Sequence, residues 1–187
     1  MRIISGSARG TRLVGLGTAD IRPTLDRVKE SFFNQIGPGL AGETFLDLFA
    51  GSGNMGIEAL SRGAEKVVFV EPNAQAQKII LQNLEKCKMT LAPSRWDLLK
   101  LTALAGLQRL KAQGPGFDLV YVDPPFAEGL YEPTLHALSA SGNLRQEALV
   151  VVEHSHKTVL RESYDKLRFY KNRRLGDSCL SFFNFED

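Results

Sequence analysis

The sequence has few residues of the kinds that form disulfides or metal sites. Its two cysteines, Cys87 and Cys179, stand far apart among 187 residues, at no spacing typical of a zinc motif. Three histidines are present, and His154 and His156 form a His-x-His pair without a cysteine or carboxylate at ligand spacing. We therefore expect no disulfide framework and no metal site.

Long apolar runs are also missing. No stretch of about 18 uncharged apolar residues is present, and the amino terminus has no apolar core of the signal-peptide type. The apolar fraction of 43% and the charged fraction of 24% lie in the globular range. These features exclude membrane and disordered classes and predict a soluble, cytoplasmic protein. The length fits one domain over residues 1–187.

The formal net charge of +2 is unevenly distributed. Residues 1–30 contain six basic and three acidic groups, and residues 161–174 contain six basic and two acidic groups. The rest of the chain is therefore acidic. Such segregation favours a basic face that binds a polyanion, because neutralised phosphates release counterions. The alternative is that these charges are solvated and never converge.

Short apolar runs alternate with amphipathic stretches, which indicates strand-helix units and a mainly parallel sheet. Strands are predicted at 44–49, 66–70, 117–122 and 148–153, with a weak one at 93–96, and helices at 56–62, 74–87, 98–112 and 131–139. Residues 166–185 read as two strands around Gly176-Asp177. Residues 1–36 form an extension to the 37–187 core, with a small hairpin at 3–14 and a helix capped by Thr24.

A glycine loop follows the first predicted strand. Gly51, Gly53 and Gly56 satisfy G-x-G-x-x-G, and Glu71 ends the next strand, where an acidic residue can bind ribose hydroxyls. The pair predicts a nucleotide-like cofactor. Asp47 beside the loop would repel the pyrophosphate of NAD but would favour the cationic sulfonium of S-adenosylmethionine.

Asp97 follows the weak third strand. Its carboxylate could accept a hydrogen bond from the adenine amino group of the cofactor, or it could cap the helix that begins at residue 98. The sequence leaves both roles open.

Asp123-Pro124-Pro125-Phe126 follows a clear strand, where α/β sheets place ligands. The Asp123 carboxylate and the Pro124 carbonyl can each accept one hydrogen of an exocyclic base amine, which orients its lone pair and stabilises the developing positive charge. The two prolines stiffen the turn, and Phe126 offers a stacking face. With an ordinary pKa of about 4, Asp123 is expected to orient the amine and not to deprotonate it before attack.

These residues resemble those of the bacterial small-subunit ribosomal RNA methyltransferase D family. The resemblance lies in the segments 2–6, 10–13, 22–30, 33–34, 46–53, 58–64 and 123–126. It implies a Rossmann-like class I methyltransferase, with a carboxyl-terminal antiparallel hairpin, that uses S-adenosylmethionine. The implied reaction is N2-methylation of one guanine in 16S ribosomal RNA of an assembled or assembling small subunit, by a monomer.

The resemblance also implies roles for residues of the extension. Thr24 and Arg27 would lie beside the cofactor, and Arg2, Arg9, Arg12 and Arg22 would contact RNA. The sequence departs from the family pattern at Asn54-Met55 and at 175–178. These departures affect the fine cofactor contacts and the carboxyl-terminal RNA contacts.

Three other functions fit parts of the pattern. An adenine-N6 methyltransferase acting on DNA or RNA would use the same Asp-Pro-Pro-Phe chemistry, although a DNA enzyme usually needs an added recognition domain. An inactive nucleic-acid-binding module would not need Asp123, Pro124 and Glu71. A small dehydrogenase would share the glycine loop but lacks a clear catalytic acid or base.

Overall fold

A computed structural model describes residues 1–17, 23–37, 39–111, 116–125 and 129–186, with only the backbone described at 23–25. The strands are β1 Thr44–Asp47, β2 Lys66–Val70, β3 Trp96–Leu99, β4 Phe117–Val122, β5 Leu144–Ser155, β6 Ser163–Tyr164, β7 Leu167–Leu175 and β8 Ser178–Phe185. The helices are α1 Pro23–Ile36, α2 Asn54–Ser61, α3 Ala74–Lys86, α4 Ala103–Lys111 and α5 Tyr131–Ser139. Strands and helices thus alternate along the core.

The eight strands form one sheet in the order β3-β2-β1-β4-β5-β8-β7-β6. The first five pair in parallel, whereas β8 pairs antiparallel with both β5 and β7. The strand order reverses between β1 and β4, which makes a crevice at the carboxyl ends of these strands. The predicted α/β fold with its carboxyl-terminal antiparallel hairpin is therefore confirmed.

Most predicted elements are present, but the third strand was misplaced. The helix predicted at 98–112 begins only at Ala103, and Trp96–Leu99 pairs in parallel with β2. Trp96 and Leu98 pack against the apolar core under the sheet, so tertiary contacts outweigh the helical pattern read from the sequence.

Two expectations in the extension also need correction. The predicted hairpin at 3–14 is reduced to one bridge between Arg2 and Arg12, with hydrogen bonds joining Ile3 to Thr11 and Gly10. The helix begins at Pro23, so Thr24 lies inside its first turn and not at the capping position before it. Proline is favoured at that first position because its fixed φ suits a helix and its missing N–H costs nothing there.

Two apolar clusters cover the two faces of the sheet. Ile3 and Phe32 of the extension belong to the same cluster as Phe45 and Tyr121 of the central strands. Phe32 contacts the Tyr121 ring edge-on, with ring centroids 5.3 Å apart. The extension therefore shares the core and covers the sheet face next to the crevice.

Candidate active site

A glycine-rich loop joins β1 to α2 at the carboxyl edge of the sheet. Gly51 and Gly53 have φ angles of 54° and 77°, a region that disfavours residues with a side chain. A Cβ on Gly56 would lie 2.3 Å from the ring of Phe69, so this glycine lets α2 pack closely on β2. The loop thus has the close turn and close packing that the glycine spacing indicates.

Glu71 directly follows β2 and holds this loop in place. Its carboxylate oxygens accept hydrogen bonds from the backbone N–H groups of Gly51 and Asn73, both at 2.8 Å. The side chain lines a cavity of about 790 Å³, which is in the size range of ligand pockets. Each carboxylate oxygen has a second lone pair, so Glu71 can also accept hydrogen bonds from ribose hydroxyls.

Asp47 ends β1 and is only 2% exposed. One carboxylate oxygen accepts a hydrogen bond of 2.9 Å from the Gly56 N–H in the first turn of α2. Burial raises the pKa of Asp47 to about 7. The hydrogen bond from Gly56 lowers this pKa, and the nearby Glu71 carboxylate raises it by a smaller amount. The side chain lines a second cavity of about 170 Å³. A bound cation there would favour the ionised form.

Asp123 lies where the two cavities meet. It directly follows β4 and lines both of them, together with Leu16, Phe49 and Gly51. Pro124 and Pro125 line the larger cavity, whereas Phe126 lies outside the described residues. The structure thus brings Asp123 to the same site as the glycine loop.

The electrostatic surroundings of Asp123 differ from those expected. Burial raises its pKa well above the ordinary value, and the neighbouring carboxylates of Glu153 and Asp47 raise it further. The expectation of an ordinary aspartate pKa is therefore wrong. The sequence could not reveal this, because the carboxylates come from three separate strands.

Tyr121 and Glu153 are site residues that the sequence did not single out. Both line the smaller cavity beside Asp47 and Asp123, and the Tyr121 hydroxyl donates a short hydrogen bond to Glu153 Oε2. Burial raises the pKa of Glu153, although the hydrogen bonds from Tyr121 and Ser178 oppose that rise. One signal was present in the sequence, because Glu153 directly follows the apolar run at 148–152.

Asp97 does not have the position predicted for it. It lies within β3 and forms an ion pair of 2.7 Å with Lys66, with 55% of its side chain exposed. The capping hypothesis is wrong because α4 starts only at Ala103. Thr102, Ala103 and Leu104, which follow β3, line the larger cavity instead.

The basic residues predicted in the extension lie mostly at the surface. The exposed ones are Arg2, Arg9, Arg12 and Arg27. On α1, Val28 rather than Arg27 lines the smaller cavity. Arg22 and the side chain of Thr24 lie outside the described part of the chain.

A buried ion-pair network attaches the extension to α2. Lys29 and Glu58 are both 0% exposed, and their charged groups lie 3.0 Å apart. Glu58 also accepts hydrogen bonds from the N–H groups of Ile4 and Ser5, and from Arg62. Lys29 donates to the backbone carbonyl of Arg2 and to Asn54 Oδ1, at 2.5 and 2.8 Å. The network fixes the extension against the helix that follows the glycine loop.

The second basic region of the sequence contacts the helix of the extension. Lys171 of β7 donates a hydrogen bond of 2.8 Å to Gln35 of α1. Tyr170, 61% exposed, and the exposed residues Arg173 and Arg174 lie on the same strand. The structure thus brings the basic strand β7 against the helix of the extension, as a common polyanion-binding face requires.

The described residues contain neither a metal cluster nor a membrane span. No group of three or more His, Cys, Asp or Glu in those ranges is placed to hold a metal ion. None of the described helices has both the length and the apolar character needed to cross a bilayer. Cys87 and Cys179 are both free thiols.

Comparisons with known proteins agree over most of the chain. A family described as conserved hypothetical protein 95 matches residues 1–184. The ribosomal RNA small subunit methyltransferase D of Haemophilus influenzae is 39% identical over 153 residues, which are 82% of this chain and 78% of that protein.

Solved structures show the same architecture. The Escherichia coli protein yhhF, described as a proposed methyltransferase, superposes with a TM-score of 0.82 at 32% identity, covering 100% of this chain and 98% of its own. The protein SMU.776, whose crystal structure contains S-adenosylhomocysteine, superposes with a TM-score of 0.69 at 15% identity. The superposition covers 88% of this chain and 50% of the SMU.776 chain. At that identity the second likeness concerns the fold alone.

Proposed function

Because the chain belongs to the ribosomal RNA small subunit methyltransferase D family, we propose that it methylates the exocyclic N2 amine of a guanine in 16S ribosomal RNA. S-adenosylmethionine is the methyl donor. The observation that supports this most directly is the position of Asp123, the one carboxylate among the described residues that lines both cavities. The larger cavity can hold the adenosine part of the cofactor, while its sulfonium and the reacting amine can meet at Asp123 in the smaller cavity.

The residues of the larger cavity fit the adenosine part of the cofactor. Glu71 can accept hydrogen bonds from ribose hydroxyls, and Ala103, Leu104 and Pro124 supply apolar walls for a purine ring. Asp47, in the smaller cavity, supplies negative charge that suits a sulfonium or an ammonium group. The same charge disfavours a dinucleotide pyrophosphate, which argues against the dehydrogenase hypothesis. When bound, the cofactor supplies an electrophilic methyl group.

Asp123 and the Pro124 carbonyl orient the amine. An exocyclic amine is a weak nucleophile because its lone pair is delocalised into the ring. Accepting both of its hydrogens favours the pyramidal form and stabilises the positive charge that develops as the nitrogen–carbon bond forms and the carbon–sulfur bond breaks. The methylated nitrogen must then lose a proton. Ionised Asp123 can take it, and its raised pKa makes it a better acceptor than an ordinary aspartate.

The basic face formed by the extension and β7 is proposed to bind the RNA. Arg2, Arg9 and Arg12 are exposed on the extension, and Arg173 and Arg174 are exposed on β7. Phosphate contacts from such residues position an RNA without reading its sequence. The substrate is therefore proposed to be a folded region of the small subunit or its assembly intermediate, methylated in the cytoplasm by a monomer.

The test is to identify the methylated nucleoside. The protein is incubated with labelled S-adenosylmethionine and, separately, with unmodified small subunits, naked 16S RNA and duplex DNA. Nucleosides are then separated and identified by mass spectrometry. We expect N2-methylguanosine from the small subunits. Methylation of duplex DNA at adenine N6 would overturn the proposal in favour of the alternative that shares the Asp123 chemistry.

A further inference from the structure

Glu153 lies beside the proposed catalytic carboxylate. Val122 and Val152 are partners in the parallel register of β4 and β5, so the next residues, Asp123 and Glu153, are level on neighbouring strands. Neighbouring strands are about 4.8 Å apart. Both side chains line the smaller cavity. Two carboxylates are therefore presented side by side to whatever enters it.

Two hydroxyl groups donate hydrogen bonds to Glu153. The side chain is 6% exposed, and its bonding partners are the hydroxyls of Tyr121 and Ser178. Hydroxyl donors orient a carboxylate without cancelling its charge. Among the described residues that line the cavity there are three carboxylates, on Asp47, Asp123 and Glu153, and no lysine or arginine. A ligand that brings positive charge and hydrogen-bond donors would complement these three carboxylates.

The exocyclic amines of RNA bases differ in the ring atom beside them. Guanine N2 is next to N1–H, which is a donor. Adenine N6 and cytosine N4 are next to ring nitrogens that have a lone pair and accept hydrogen bonds. A carboxylate beside the amine-binding acceptors would attract the guanine edge and repel the other two. Glu153, Asp123 and the Pro124 carbonyl would together supply three acceptors for the three successive donors of guanine, which are N1–H and the two hydrogens of N2.

We propose that Glu153, oriented by Tyr121, determines specificity by accepting the N1–H of the target guanine while Asp123 and Pro124 accept its amine hydrogens. This inference rests on the proposed N2-methylation and deepens it. It assigns the choice between guanine and adenine, which the Asp-Pro-Pro-Phe motif leaves open, to a residue on the neighbouring strand.

The test compares guanine with 2-aminopurine at the target position of reconstituted small subunits. 2-Aminopurine keeps the N2 amine, but its N1 is an acceptor. Loss of a hydrogen bond to a charged group, together with lone-pair repulsion, should reduce kcat/KM of the wild-type protein by about 100-fold or more. In Glu153→Gln the amide can donate to N1 of 2-aminopurine or accept from guanine, so the preference should fall to within about 10-fold. 2-Aminopurine also lacks O6, but this loss is the same for every variant. The change between variants in the ratio of kcat/KM for guanine to that for 2-aminopurine therefore reports on N1.

Three controls separate specificity from folding. Glu153→Asp keeps the charge and should keep the preference for guanine at a lower rate. Tyr121→Phe removes the orienting hydroxyl and should slow transfer, with guanine still preferred. Glu132→Gln changes a carboxylate that pairs with Arg161, and should leave both rates unchanged. S-adenosylmethionine affinity, measured for each variant, reports on the integrity of the fold.

The outcomes distinguish this inference from the proposed function. Equal use of guanine and 2-aminopurine by the wild-type protein would overturn the role of Glu153, and so would an unchanged preference in a folded Glu153→Gln variant. In both cases N2-methylation itself would stand. Transfer of the methyl group to an atom other than guanine N2 would instead refute the proposed function.

Discussion

Replacing Asp47 with asparagine should reveal how much free energy the buried carboxylate costs. The pKa of Asp47 rises from 3.8 to about 7 in the folded protein because the side chain is buried. The folded state therefore holds this proton more tightly than the unfolded state, and stability falls as pH rises from about 4 to about 7. At 1.36 kcal/mol per pKa unit, the full cost above pH 7 is about 4 kcal/mol.

Asparagine removes this titration and can still accept the Gly56 hydrogen bond. The variant should therefore gain stability relative to the wild type as pH rises, by about 2 to 3 kcal/mol between pH 5 and pH 8. Urea unfolding at the two pH values measures the difference. The variant should also bind S-adenosylmethionine at least about 10-fold more weakly, because a carboxylate facing a cation is lost.

Asp118→Asn is the matched control. Burial of Asp118 raises its pKa, but hydrogen bonds from Thr44 and the pairing with Arg145 outweigh it and lower the pKa overall. Its contribution to stability is therefore present above about pH 4 and is lost only as pH falls further. The difference between this variant and the wild type should be constant from pH 5 to pH 8. If Asp47→Asn also showed a constant difference, the reasoning about its buried proton would be refuted.

Four further results are expected. Asp123→Ala should reduce methyl transfer by about 100-fold or more and leave cofactor affinity within a few-fold in calorimetry; transfer at the wild-type rate would exclude the role assigned to Asp123. Lys29→Met should destabilise the protein by about 1 to 3 kcal/mol, because Glu58 loses one of its two buried cationic partners and keeps Arg62; a melting temperature unchanged from that of the wild type would contradict this. Replacing both Arg173 and Arg174 with alanine should weaken RNA binding and reduce the slope of log affinity against log salt concentration by the contribution of up to about two phosphate contacts, with kcat unchanged. A loss of RNA affinity that is the same at every salt concentration would argue against phosphate contacts. Binding of S-adenosylmethionine at pH 7 should release protons, seen as a binding enthalpy that varies with the ionisation heat of the buffer, because a cation favours the ionised forms of Asp47 and Asp123; an enthalpy independent of the buffer would contradict this.

The sequence predicted best the parts of the fold that depend on local pattern. The strands 66–70 and 117–122 and the helix 131–139 have the predicted bounds, because apolar runs and proline or glycine boundaries define them. Residues 96–99 were misread because their strand character depends on pairing with β2. The pattern could not show that contact, since the helix and strand periods are hard to separate over four residues.

The candidate site divides in a similar way. Asp123 and Glu71 could be identified because each belongs to a motif that is contiguous in sequence or has a fixed spacing. Glu153 belongs to no such motif: the sequence shows only a charge after an apolar run, and its partners Tyr121 and Asp123 lie about 30 positions earlier in the chain. The buried pair of Lys29 and Glu58 is hidden for the same reason, since charged residues usually lie at the surface. Motifs thus located the glycine loop and the candidate carboxylate, while the surrounding electrostatics required the fold.

The acidic cavity is a cost to the free protein that its ligands can offset. Burial raises the pKa of Asp47, Asp123 and Glu153, so ionising these groups costs free energy in the unliganded site. A cationic cofactor and a donor-rich base edge both favour the deprotonated forms, which are the forms that accept hydrogen bonds from an amine. Under the proposed function, binding of the two substrates would favour the ionised form of Asp123, and a base edge that presents a lone pair in place of N1–H would not. On these proposals, the carboxylates whose burial is costly in the free protein would also connect cofactor binding to the choice of base.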